Sequence, residues 1–414
     1  MNQRQCVILQ GNREWCNSAS ESLLADYDGS QTLWLSDTAP EKALNTSQKK
    51  AQSQLGKEFD AVIFDALDEF NPDSFGSIVG TVKQGGVIII WLDAHSHASL
   101  SMQRFRHVIS KFENDYDHFY VIEQDQSLPT LTAPKGNQKT NDIVLTDDQE
   151  SAVTAILKVV HGHRRRPLVL SADRGRGKSA SLGIAAAQLV NDGKQTILVT
   201  APSLATVDTV FEHARRLLPN AEYSSGLITT TNAEIRFVAP DVLIESEQKA
   251  DLLLVDEAAA IPASMLEKLV QKYSRIVFAT TLHGYEGTGR GFAVRFQQTL
   301  NRLTPNWHHY QMISPIRWAD NDMVEAFSFE SLLLNAVPVD DALISEANVE
   351  HCHFEYIDRQ ILIHNEQDLR ELFGLMVLAH YRTRPSDLQM MLDRDDVSVY
   401  VIRYQGHIVA SAWL

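Results

Sequence analysis

The chain has 414 residues and carries 37 Lys and Arg against 53 Asp and Glu, a formal net charge of -16. Its length exceeds what one hydrophobic core usually serves, so two or three domains are expected, and 44% hydrophobic with 22% charged residues excludes disordered and fibrous classes. The acidic balance excludes adhesion to nucleic acid over the whole surface, because phosphate binding accumulates Lys and Arg contacts, and confines any such binding to local basic surfaces.

The opening MNQRQCVILQ has one Arg and a short apolar patch, too little for a signal peptide. The longest apolar runs, GGVIIIWL and DLLLVDEA, fall far short of the roughly 20 residues that span a bilayer. No membrane partner and a cytoplasmic location are therefore expected. Cys6, Cys16 and Cys352 are widely spaced and odd in number, which predicts plain thiols rather than disulfides or a zinc site.

Across 1–125, the runs CVILQG, TLWLSD, DAVIFDAL and GGVIIIWL alternate with polar or helix-like stretches, the pattern of a parallel sheet with crossover helices. Residues 126–142 are rich in Pro, Gly, Thr, Asn and Gln without apolar periodicity and read as a linker. A second α/β domain is predicted over 143–345, with strands PLVLSA, TILVTA, DLLLVDEA and RIVFATTL at helix-length intervals. The last segment, 346–414, offers strand-like HCHFEYID and a helix over EQDLRELFGLMVLAHY. Two β-runs follow, joined at Gln405-Gly406-His407, a hairpin signal.

The stretch SADRGRGKSA comprises Ser171, Ala172, Asp173, Arg174, Gly175, Arg176, Gly177, Lys178, Ser179 and Ala180. It follows the β-run PLVLS and precedes helix-forming residues, so it fits a P-loop with Ala in the first glycine position. Amides at the helix N-terminus would cradle phosphates, Lys178 would reach the β and γ phosphates, and the Ser179 hydroxyl would reach Mg2+. Gly175 and Gly177 keep side chains away from the anion, whereas spacing alone decides no role for Arg174 and Arg176. Downstream, LLLVDEA ends an apolar run in Asp256 and Glu257. A carboxylate there can hold Mg2+, and its neighbour can orient or deprotonate the attacking water, so the two motifs together predict ATP hydrolysis.

Upstream, Gln149 in LTDDQESAV resembles the adenine-reading Gln of RNA helicases; its amide can serve both edges of the base, or it caps a helix. Arg290, Arg295 and Arg317, in GYEGTGRGFAVRF and SPIRWAD, either meet the γ phosphate or face solvent or RNA. Arg382 and Arg384 in YRTRPSDL either face RNA or CoA or cap the end of the preceding helix. HGHRRRP (161–167) reads as an exposed basic loop, with contact to RNA phosphate as the alternative.

SADRGRGKSA, LLLVDEAAAIP, GYEGTGRGF, PIRW and LFGLMVLAHYRTRPSDLQMMLD occur in an order that resembles the bacterial tRNA(Met) cytidine acetyltransferases and their eukaryotic relatives. The resemblance implies an N-terminal α/β domain, a RecA-like P-loop, helicase-like ATPase domain and the beginning of a GNAT acetyltransferase domain. It also implies N4-acetylcytidine formation at the wobble position of elongator tRNA(Met), using acetyl-CoA and ATP or GTP with Mg2+, and no DNA partner. By motif, Gln149, the P-loop residues, Asp256 and Arg290 would serve the nucleotide and Glu257 the hydrolytic water. The chain stops at Leu414, before the glycine-rich loop on which a GNAT domain holds the CoA pyrophosphate. It is therefore expected to be a truncated form of a longer enzyme, and no acetyl-transfer residue is assigned. Without transfer, the same residues suit a stand-alone RNA-binding or remodelling ATPase.

Overall fold

The apolar runs of the N-terminal segment lack alternation, which suits strands covered on both faces. The computed structural model describes residues 3–93, 99–134, 145–282, 290–380 and 383–414, with backbone alone for 290–295. In it β1 (Gln5–Gln10), β2 (Thr32–Leu35), β3 (Leu44–Asn45), β4 (Phe59–Asp65), β5 (Val82–Leu92) and β6 (Phe119–Glu123) form one sheet in the order β3-β2-β4-β5-β1-β6. All its pairings are parallel. Helix α1 (Arg13–Leu23) lays Cys16, Ala19 and Leu23 on one face, against Val7, Ile63 and Trp91. Helices α2 (Pro72–Val79) and α3 (Leu100–Asp115) cover the other with Phe75, Phe105, Val108 and Phe112.

The next stretch builds a separate compact unit from 145–282 and 290–316. Its elements are α4 (Asp147–His161), β7 (Leu168–Ala172), α5 (Lys178–Asn191), β8 (Thr196–Thr200), α6 (Asp208–Leu217), β9 (Glu222–Ser224), β10 (Leu227–Thr229) and β11 (Glu234–Phe237). They continue through α7 (Pro240–Glu245), β12 (Leu252–Val255), α8 (Ala263–Lys272), β13 (Ile276–Thr281), α9 (Arg290–Leu303) and β14 (His308–Met312). The sheet order is β14-β7-β13-β12-β8-β11-β10-β9. Strands β14 to β11 run parallel, and β10 and β9 close one edge antiparallel. One face is packed by Ile156, Leu182 and Phe211, the other by Leu243, Leu266 and Phe296. Strand β13 stands between β7, which leads into the P-loop, and β12, which ends at Asp256; this is the RecA-like arrangement. It sets the tip of β12 two strand spacings, about 10 Å, from the loop, room for a phosphate chain between Lys178 and Glu257.

Residues from 317 onward belong to the same unit as the N-terminal sheet, so the domain edge read at 345 lies instead at 316/317. The reason is α10 (Met323–Leu332), whose Phe327 ring lies 5.0 to 6.1 Å from those of Phe75, Phe105, Phe112 and Phe119. Arg4, fully buried at the start of β1, fixes the same helix. Its Nε and Nη2 donate to Asp322 Oδ1 at 3.0 and 2.6 Å, Nη1 donates to the Val79 and Val82 carbonyls, and Trp318 stacks on the guanidinium. Asp322 also caps α10 by accepting from Glu325 N at 2.9 Å.

Then come β15 (His353–Tyr356), α11 (Arg359–Leu362), α12 (Glu366–Ala379), α13 (Pro385–Asp393), β16 (Val399–Tyr404) and β17 (His407–Trp413). The three strands form an antiparallel sheet ordered β15-β16-β17, and the expected hairpin turns on Gln405 and Gly406, both at positive φ. Buried Glu371 of α12 pins that hairpin, accepting from Ile408 N at 2.8 Å and pairing with His407 Nδ1 at 2.7 Å. Helix α13 docks on α2, with Ser386 N and Oγ donating to the Asp73 carboxylate at 2.9 and 2.8 Å. Of the linker read at 126–142, residues 126–134 are described and 135–142 lie outside the described residues.

Candidate functional site

Strand β7 delivers the chain, fully buried, into the loop Asp173–Gly177, and α5 starts at Lys178. Gly175 and Gly177 have φ of 78 and 83°, the left-handed region that glycine enters without strain. At Gly177 a Cβ would stand 2.5 Å from Gln149 Nε2 and would have to displace that side chain. Lys178 is 7% exposed, and its Nζ reaches back to the Ala172 and Asp173 carbonyls at 3.5 and 3.4 Å, long contacts that leave the ammonium poorly satisfied. Burial lowers its pKa, opposed by the charges of Glu257 and Asp256.

Asp256 sits at the tip of β12 with no exposed surface. Its backbone N–H donates to Thr200 O, and its Oδ1 accepts from Glu257 N at 3.0 Å, while its buried Oδ2 has no hydrogen-bond partner. Desolvation, then the charge of Glu257, pushes this carboxyl up to about 7, against a hydrogen bond from Ser179 and the charge of Lys178. Glu257 follows in left-handed backbone (φ 47°), and Thr281 Oγ1 points at its carboxylate from 3.3 and 3.4 Å.

These residues fit a magnesium nucleotide. A buried carboxylate oxygen without a partner, a hydroxyl beside it and a buried ammonium on two long contacts converge at the helix N-terminus that follows β7. Among the described residues no group of three or more His, Cys, Asp or Glu forms a metal cage, so the ion would be shared between Ser179, Asp256 and phosphate. The hydroxyls of Thr200 and Thr280, on the last or next-to-last residues of β8 and β13, are also buried without partners. The sequence reading passed over both, although each closes an apolar strand on a hydroxyl.

The remaining residues of SADRGRGKSA have definite places. Ser171 turns its hydroxyl away from the loop to His309 Nε2 of β14, at 2.6 Å. Arg176 is 7% exposed and points along the protein: its Nε donates to Ile313 O at 2.7 Å and its Nη1 to Arg174 O at 3.1 Å. Ile316 N donates to Gly175 O at 3.0 Å. The segment that receives the loop is itself held by Asp148, whose Oδ2 accepts from Ile313 N and Ser314 N at 2.6 and 2.9 Å and whose Oδ1 accepts from Tyr310 at 2.5 Å. The P-loop is thus braced by residues that the sequence reading did not single out.

Gln149 takes the capping role that was weighed for it. It completes a capping box with Thr146, accepting from Thr146 N through Oε1 at 3.2 Å, and it is buried against Gly177. Arg317 lies in the other compact unit, where it donates to Gly80 O and pairs with Glu58 at 3.3 Å. Arg290 begins α9, but its side chain and that of Arg295 lie outside the described residues, as does most of GYEGTGRGF. Arg382 also lies outside them, and Arg384 stands exposed at the start of α13 rather than at the end of α12.

Residues 1–122 match the family model of the N-terminal domain of tRNA(Met) cytidine acetyltransferase TmcA, and residues 169–335 that of the helicase domain of the RNA cytidine acetyltransferase NAT10/TcmA. A tRNA(Met) cytidine acetyltransferase TmcA of Nitrosococcus halophilus is 44% identical over 99% of this chain and 59% of its own length. One of Vibrio cholerae is 34% identical over 97% of this chain and 55% of its own. The chain thus spans less than two thirds of these curated relatives. Among solved structures, the large terminase of a thermophilic bacteriophage aligns with 41% of this chain and 46% of its own at 15% identity and a TM-score of 0.32, too slight a likeness to carry an argument.

Proposed function

Since this chain belongs to the tRNA(Met) cytidine acetyltransferase family through both its N-terminal and helicase domains, we propose that it is the nucleotide-hydrolysing part of an enzyme that forms N4-acetylcytidine at the wobble position of elongator tRNA(Met). In this reading acetyl-CoA is the acetyl donor, ATP or GTP with Mg2+ is the energy source, and the enzyme works in the cytoplasm where its tRNA is found. The observation that carries it is the partnerless Oδ2 of Asp256, buried beside Ser179 at the mouth of the P-loop.

Loop amides from Gly175 to Ser179 bind the phosphate oxygens, and the Lys178 ammonium neutralises charge on the β and γ phosphates. Ser179 Oγ and Asp256 Oδ2 would be the protein's ligands for Mg2+, which when bound would offset charge on those oxygens. Glu257, held by Thr281, orients a water and accepts its proton as that water attacks the γ phosphorus and the bond from that phosphorus to the β–γ bridging oxygen breaks, releasing the nucleoside diphosphate and phosphate. Gln149, at the start of α4, meets the base edge. The sheet β15-β16-β17 with α12 and α13 is read as the opening of a GNAT acetyltransferase domain, and acetyl transfer is assigned to no residue here.

Lys178→Ala should abolish ATP hydrolysis by the 414-residue chain; unchanged turnover would sink the site. Deleting the gene should remove N4-acetylcytidine from tRNA(Met), read by mass spectrometry of its nucleosides, and its persistence would sink the substrate.

A further inference from the structure

The α4–β7 connection carries Arg164, Arg165 and Arg166 in succession, two of them exposed and Arg166 half-buried. Among the described residues, none of these guanidinium groups has an ion pair or side-chain hydrogen bond. That sets them apart from most described arginines of this chain, in which acids outnumber bases 53 to 37. Elsewhere in the unit Arg302 pairs with Glu267 at 2.6 Å, Arg236 donates to Gln248 Oε1 at 2.8 Å, and Lys272 donates to the carbonyls of Leu243, Ile244 and Ser246.

The turn is held rather than left to its own preferences. Arg165 has φ of 60°, a left-handed conformation that disfavours a side-chain-bearing residue, and its N–H is fixed to Ser274 O at 2.8 Å. That hydrogen bond sets the three arginines beside Arg275, at the start of β13, whose buried Nε lacks a partner. The backbones of four arginines, none paired with a carboxylate among the described residues, therefore lie close together at the amino-terminal edge of the sheet. The P-loop lies at the other end of β7, about 17 Å away along its five residues. Adjacent like charges repel, and guanidinium forks match phosphate oxygens in pairs. An anionic polymer with closely spaced phosphates relieves that repulsion, whereas the acid-rich remainder of the surface repels it.

We propose that this amino-terminal edge of the ATPase sheet is a phosphate-backbone contact for RNA, separate from the nucleotide site. It rests on the tRNA-modifying reading above for the identity of the RNA. The probe is unmodified tRNA(Met), its binding to the 414-residue chain followed by fluorescence anisotropy over a range of KCl concentrations. Replacing all three arginines (R164Q, R165Q, R166Q) should flatten the dependence of log affinity on log salt by about 2 to 3, at about 0.9 for each phosphate no longer neutralised. The triple lysine variant should recover most of that slope, and a control K49Q/K50Q pair, exposed in the other unit, should leave it unchanged. ATP turnover without RNA should match wild type in each variant, which shows the fold intact. An unchanged slope in the triple Gln variant overturns the proposal, as does a wild-type chain that hydrolyses ATP but shows no salt-sensitive tRNA binding. Equal loss of binding to polyglutamate would reassign the patch to an acidic protein segment and overturn it too. Loss of hydrolysis confined to Lys178→Ala bears on the nucleotide site alone.

Discussion

Replacing Asp256 with Asn should stabilise the nucleotide-free protein above neutral pH while removing its hydrolytic activity. Asp256 is fully buried, its Oδ2 has no partner, and its carboxyl is raised from 3.8 to about 7. A group raised in the folded state favours folding fully below its unfolded pKa, and that contribution is lost as pH rises through the folded one. Ionising Asp256 thus costs nothing near pH 4 and costs most above pH 7. Three pKa units at 1.36 kcal/mol each set a ceiling of about 4 kcal/mol. Asn retains the acceptor for Glu257 N but buries an amide N–H2 in its stead, which takes back about 1 to 3 kcal/mol. A net gain of about 1 to 3 kcal/mol at pH 8 is expected, shrinking to nothing or to a small loss near pH 5. Hydrogen exchange of peptides spanning Leu252–Val255 reads this locally, without requiring both units to unfold together. The same variant should lose the protection that Mg-ATP confers on the wild type. A stability gap that does not change with pH, or an Asn variant less stable at pH 8, would refute the reasoning.

Arg176→Met removes the donors to Ile313 O and Arg174 O without emptying the space. KM for ATP should rise about tenfold or more and ADP affinity should fall in step, with kcat within about threefold, because a loosened loop forfeits binding before chemistry. A collapse of kcat at unchanged ADP affinity would mean that Arg176 touches the γ phosphate instead. Asp322→Ala leaves Arg4 buried without its counter-charge and α10 without its cap, so urea unfolding of the N-terminal unit should show a loss of about 3 to 5 kcal/mol. Pairing it with Arg4→Met should restore much of that loss; a deficit that grows instead would refute the ion-pair account.

Four strands of each large sheet were legible because residues buried on two faces must be apolar throughout, as in Val87–Leu92 and Leu252–Val255, whereas the short β3, the edge strand β6 and the polar β14 were not read. The P-loop was legible because its chemistry is local: strand, glycines, Lys178 and helix all fall within one short stretch. Helix α10 misled for the opposite reason. Its apolar residues carry no mark of which core they enter, and their partners, Phe75, Phe105 and Phe112, lie hundreds of residues upstream. Arg176 shows the same limit at atomic scale. Nothing next to it in the chain says that a carbonyl at Ile313 awaits it, so the sequence left its role open. Strands β9 to β11 are short and mostly polar, and they form because each hydrogen-bonds its neighbour rather than because each buries much.

The return of α10 to the phenylalanine cluster makes the first unit discontinuous, with residues 145–316 inserted in its middle. During synthesis, the N-terminal sheet emerges from the ribosome with one side of its core missing Met323, Val324, Phe327 and Leu332. The inserted unit draws its described elements from 145–282 and 290–316 and can complete its sheet once β14 is out. The part made first is therefore finished last, and for the time needed to translate the insertion Phe75, Phe105 and Phe112 stand uncovered, a window in which chaperone capture or aggregation competes with folding.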